Sequence, residues 1–147
     1  MPWSTAADVN SKTSKEPMNI QSLTTAYWCV IVAGVLPYLT TFVAKAGSYG
    51  PRDNQAPREW STRQSGWRSR LMAAAANGFE TLPMFMAAVI IAHQLGYSQS
   101  TLDLYAMAYV ALRVVYVAIY GAGAATVRSL VWGLAMLANA AIFFIGK

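Results

Sequence analysis

Charge is what this sequence has least of, and its absences are long. No Asp, Glu, Lys or Arg occurs between Pro17 and Ala44, and none between Ser129 and Gly146. Between Leu71 and Leu102 there is one, Glu80. A soluble helix needs a polar face, and these stretches lack one. Uncharged apolar runs of about 18 residues or more read instead as membrane spans. The single cysteine, Cys29, lies inside the first run and can form no disulfide within the chain. It is expected to be a packed thiol. The single histidine, His93, has no Cys, Asp or second His at ligand spacing, so an interfacial role is expected rather than a metal site. Phosphate-cradling glycine loops, nucleophile triads and metal motifs are absent. So is a short apolar segment followed by a small-residue cleavage site, and no cleaved signal peptide is expected.

What is present fits one domain of 147 residues. Residues 1–21 are polar and read as a mobile tail, with residues 22–147 as the membrane domain. Four spans follow from the breakers. The first is Leu23 to Ala44, with Pro37 expected to bend it. Gly47, Gly50, Pro51, Pro57 and Gly66 mark a loop. The second span runs from Trp67 to Leu95. Gly96-Tyr97-Ser98 is a turn, and Ser100 with Asp103 reads as the capped start of the third span. That span ends near Tyr120, where Gly121 and Gly123 are expected to break it. The fourth runs from Ala125 to Ile145. The expected fold is an all-α membrane protein, an antiparallel four-helix transmembrane bundle.

The net charge of +5 does not point to nucleic acid. The cations sit in short loops between spans, where they act as topology signals. Lys45, Arg52, Arg58, Arg63, Arg68 and Arg70 flank the first connection and Arg128 the third, whereas the Gly96–Ser100 turn has none. The tail adds Lys12 and Lys15, the C-terminus Lys147. The first and third connections are therefore expected on the cytoplasmic side, with both termini non-cytoplasmic. A bacterial inner membrane is the favoured location, an endoplasmic reticulum-type membrane the alternative.

Polar residues at membrane depth carry the functional signal, because a charge there costs at least about 2.5 kcal/mol. Glu80 lies ten residues past Arg70, about 15 Å along a helix. Arg113 lies equally far past Asp103 on the antiparallel neighbour. A Glu80–Arg113 ion pair, direct or through water, is expected, and such a pair could be purely structural. Arg70, Asn77 and Glu80 share one helical stripe, bordered by the small Ala73, Ala74 and Ala76. Arg113, Tyr116 and Tyr120 share another. Arg128 and Ser129 open the fourth span from the same side, and Pro83 frees the carbonyl of Phe79 beside Glu80. Together these suggest an anionic, hydrogen-bonding ligand between helices. Arginines would hold its carboxylates, Asn77 and Glu80 its amide and ammonium groups, and the tyrosines would donate hydroxyls. Trp28, Trp60, Trp67 and Trp132 read as interface anchors or packing residues, Met84-Phe85-Met86 as apolar surface, and Asn139 as a hydrogen bond across helices.

The segment from Arg70 to Pro83, with Asn77, Glu80 and Pro83 at spacings of three, resembles the second-helix signature of the membrane-associated eicosanoid and glutathione metabolism family, MAPEG. Arg113-Val-Val-Tyr116 with Tyr120, followed by Arg128-Ser129, resembles its third- and fourth-helix pattern. The resemblance runs from Leu23 to Ile145 and is nearest the small bacterial-type members. It implies a homotrimer that binds glutathione as co-substrate between neighbouring subunits, through Arg70, Asn77, Glu80, Arg113, Tyr116, Tyr120 and Ser129. Arg128 would be catalytic, stabilising the thiolate. The implied activity is transfer to lipophilic electrophiles or reduction of peroxides. Two positions depart from the family: Ala73 stands where it usually has Arg, and Tyr116 where its prostaglandin-type enzymes often have His. The alternatives are a non-catalytic protein of this fold that binds a lipophilic small molecule or serves as subunit of a larger membrane complex, and a transporter using Glu80.

Overall fold

The computed structural model describes residues 23–146, so the polar opening segment and Lys147 lie outside the described residues. Among the described residues there are helices and no strands. The four long helices are α1 (Thr25–Lys45), α3 (Gly66–Gln94), α4 (Gln99–Ala122) and α5 (Ala125–Ile142), each long and apolar enough to cross a membrane. The expected four-helix bundle is therefore the fold. A short helix, α2 (Pro57–Thr62), and a 3₁₀ turn (Asp53–Gln55) lie in the first connection. α1 packs on α3 and α4, and α5 packs on α4 and α3, so α3 and α4 form the centre.

The boundaries follow from local chemistry. α1 starts where the Thr24 hydroxyl accepts from the Tyr27 amide at 3.4 Å. It runs unbroken through Pro37, where the hydroxyls of Thr40 and Thr41 bond the carbonyls of Leu36 and Pro37. α4 begins at Gln99, with Ser98 rather than Ser100 at the cap. Asp103 therefore lies beyond the first turn. Its carboxylate accepts from the Ala26 amide at 2.8 Å and the Gln99 side chain at 2.7 Å, tying α4 to the exposed N–H groups of α1. Gly121 does not break α4, which continues to Ala122. A Cβ at Gly121 would lie 3.1 Å from Leu71, so its smallness permits close packing. Gly123, at φ +88°, ends the helix in the left-handed region.

The main core joins Ala26, Cys29, Ala33, Phe85, Ala88, Val89, Leu102, Ala106, Tyr109, Ala135 and Ile142. Phe85 is wholly buried and stacks on Tyr109 at 4.1 Å, while Met84 and Met86 are exposed; the run is thus only partly surface. A phenylalanine between two flexible methionines turns inward because α3 presents one residue in three or four to the core. Trp60 is buried under the first connection and donates to the Ser48 carbonyl at 3.3 Å, whereas Trp28, Trp67 and Trp132 are exposed. Asn139 makes no hydrogen bond across helices: it is fully buried between Ala135 and Ile142 on the core face of α5, and neither side-chain polar atom meets a protein partner. Its neighbours along that face, Ala135 and Ile142, belong to the main core and carry no polar side-chain atom.

Candidate functional site

An open cleft of about 500 Å³ lies at the end of the bundle that carries the first and third connections. Its walls are the first half of α3, the last turns of α4 and the first turns of α5. Ala73, Ala76, Asn77 and Glu80 come from α3, Tyr116 and Tyr120 from α4, and Arg128, Ser129 and Trp132 from α5. The antiparallel course of α3 and α4 brings the two polar stripes to one level. Small Ala73 and Ala76 leave the space that larger residues would fill.

The polar groups are held rather than free. Tyr116 and Tyr120 meet edge to face at 5.5 Å, and the Arg128 guanidinium lies 4.4 Å above the Tyr120 ring. Arg128 has no carboxylate within salt-bridge distance among the described residues, where Arg63–Asp53 is the one ion pair. The Ser129 hydroxyl donates to the Ala125 carbonyl at 3.1 Å. Asn77 donates to a Glu80 carboxylate oxygen at 3.3 Å. Thr81 donates to the carbonyls of Asn77 and Gly78 just before Pro83.

Six of the eight site residues read from the sequence thus line the cleft: Asn77, Glu80, Tyr116, Tyr120, Arg128 and Ser129. Arg70 and Arg113 do not. Arg70 turns toward the end of α4, where its Nε and Nη2 donate to the Gly121 carbonyl at 3.0 and 2.9 Å. That carbonyl belongs to the last turn of α4 and needs a partner, and a guanidinium offers a matching fork. Arg113 is 3% exposed and stands behind the cleft, beside Pro37, Gly78 and Tyr109. The direct Glu80–Arg113 contact expected from matched depth is absent. Asn77 stands between them, because Arg113 Nη1 donates to Asn77 Oδ1 at 3.0 Å. Depth along an axis fixed the level of the two charges but not which side chain would intervene. Sequence reasoning missed Trp132 as a wall residue. Its spacing, four after Arg128 and three after Ser129, was the available signal.

His93 lies at the opposite end, stacked on Tyr27 at 4.2 Å, with its ring nitrogens 3.0 Å from the Thr24 hydroxyl and 2.9 Å from the Val89 carbonyl. The carbonyl can only accept, so Nδ1 carries a proton.

The model of the MAPEG family matches residues 25–146, nearly the whole of the described chain. No curated protein and no solved structure matches.

Proposed function

The chain belongs to the MAPEG family, and from that premise we propose that it is a membrane-embedded, glutathione-dependent transferase or peroxidase-like enzyme acting on lipophilic substrates. The observation that carries this reading is Arg128. Among the described residues it is the one cation lining a cleft of about 500 Å³ and has no carboxylate partner, and Tyr120 holds its guanidinium in place. A thiol with an ordinary pKa near 8.5 is only a few per cent ionised at neutral pH. A fixed cation beside it favours the thiolate. In conjugation the thiol proton leaves to water, sulfur bonds to the electrophilic carbon, and the leaving group departs with the bonding pair. Glu80, held by the Asn77 amide, offers carboxylate acceptors for the amide and ammonium groups of the tripeptide, and Trp132 an apolar wall for the electrophile.

Under this reading the protein is a homotrimer, with the cleft opening to the cytoplasmic side of a bacterial inner membrane and both termini on the other. Substituting Arg128→Ala tests the assignment. Conjugation of glutathione to a test electrophile is expected to slow about 10²-fold or more with the fold unchanged. An unchanged rate would leave Arg128 as a topology marker only.

One observation favours a second reading, a non-catalytic binder of lipophilic molecules. Arg70 and Arg113 are engaged elsewhere, and Ala73 adds no cation. One arginine must then serve both carboxylates of glutathione and its thiolate. Wild-type protein that binds an apolar probe but shows no glutathione-dependent activity would decide for this reading.

A further inference from the structure

Arg113 is a buried guanidinium that touches no carboxylate among the described residues and lies outside the cleft wall. At membrane depth such a charge persists for a reason. Its surroundings show one. Nη1 donates to Asn77 Oδ1 at 3.0 Å, and the guanidinium lies 4.5 Å above the Tyr116 ring. Nη2 lies near Gly78, where a Cβ would sit 3.8 Å from it and only 2.6 Å from Pro37 Cγ. The Pro37 ring of α1 therefore packs directly on the Gly78 backbone of α3, and this contact walls Arg113 in. The remaining void, lined also by Ala33, Leu82 and Tyr109, is about 10 Å³, room for about one water and no more.

We infer that Arg113 is a positioning residue, which sets the orientation of the Asn77 amide and through it the Glu80 carboxylate of the cleft. The reason is donor and acceptor chemistry. A guanidinium has donors only, so Asn77 must turn its oxygen to Arg113. Its nitrogen then faces the other way, where Glu80, with acceptors only, receives it at 3.3 Å. Without Arg113 the amide can rotate by half a turn and present oxygen to the carboxylate, which repels it. Arg113, Asn77 and Glu80 thus form a directed chain from the α1–α3 crossing to the open cleft. A ligand ammonium or amide would meet Glu80 in one fixed geometry. Arg113 orders the site without touching what binds there. The inference deepens the glutathione reading and rests on it for the identity of the ligand, though not for the chain itself.

The test is a double-mutant cycle in the purified oligomer, with S-hexylglutathione as probe. Arg113→Met is expected to weaken probe binding about tenfold in the parent protein, and less than about twofold when Asn77→Ala is already present. Arg113→Lys keeps a charge but not the fork, and is expected to fall between. It carries the same cycle if Arg113→Met does not fold. Equal losses in both backgrounds would mean that Arg113 acts on the ligand by another route, and would overturn the inference. A second readout needs no ligand. With asparagine side chains labelled with ¹⁵N and Asn77 assigned by its loss in Asn77→Ala, the Asn77 amide signal is expected to shift or broaden in both Arg113→Lys and Glu80→Gln. An Asn77 signal insensitive to Arg113 would also overturn it. Failure of the probe to bind the parent protein, with the Asn77 signal responding as expected, would sink the glutathione reading and leave the positioning role standing.

Discussion

Where α1 begins, polar side chains hold one another and the backbone. Asp103 accepts from Ala26 and Gln99, and Thr24 and His93 bond each other while His93 also bonds Val89. Below them Phe85 and Tyr109 stack in the main core. At the other end of the same helices, Glu80, Arg128 and the tyrosines border about 500 Å³ of open space. Both ends place charged groups near the ends of apolar helices. They differ in what borders those groups: protein partners at the first end, and an open cleft at the second. Polar satisfaction within the fold fits a structural role at the first end, and the proposed function assigns binding to the second.

Three substitutions test that division. The largest effect is expected from Phe85→Ala at the closed end. Lipid is as apolar as the core, so the transfer contribution is small and the lost packing dominates. A loss of about 2–3 kcal/mol is expected, the cavity part of the usual cost. Unfolding in mixed micelles would measure it, and probe affinity per folded molecule should stay unchanged. A parallel fall in affinity would show the two ends to be coupled. Next comes Asp103→Ala, which leaves the Ala26 amide without its acceptor. A loss of about 1 kcal/mol is expected, as for other helix caps, again with the cleft unaffected. The smallest effect on stability belongs to Trp132→Ala, within about 0.5 kcal/mol for an exposed side chain. Its expected signature is the reverse, weaker binding of an apolar electrophile on an intact fold. If Trp132→Ala destabilised as much as Asp103→Ala, the cleft end would be structural as well.

Much of the fold was legible because its signals are local. Uncharged stretches gave four spans, and their ends fell within a few residues of the helices: Thr25–Lys45 against Leu23 to Ala44, and Gly66–Gln94 against Trp67 to Leu95. Errors came where a residue had a distant partner. Asp103 reads as a first-turn residue of its own helix, behind Ser100 as cap, and serves α1 instead. Gly121 reads as a breaker and is a point of close approach to Leu71. Asn139 reads as a bond between helices and faces apolar side chains.

For the site, helical periodicity by itself determined that Asn77 and Glu80 share one face, that Tyr116 and Tyr120 share another, and that Arg128 and Ser129 begin the helix beside them. Those relations depend only on 3.6 residues per turn and on the antiparallel path of short connections. Where the arginines went was decided by tertiary structure alone. An arginine side chain is long and flexible, and its guanidinium goes to whatever acceptor lies within reach. For Arg70 that acceptor is the Gly121 carbonyl, for Arg113 the Asn77 amide, and both belong to other helices. Among the described residues Arg128 finds an aromatic face and no carboxylate, which is why it remains for the cleft.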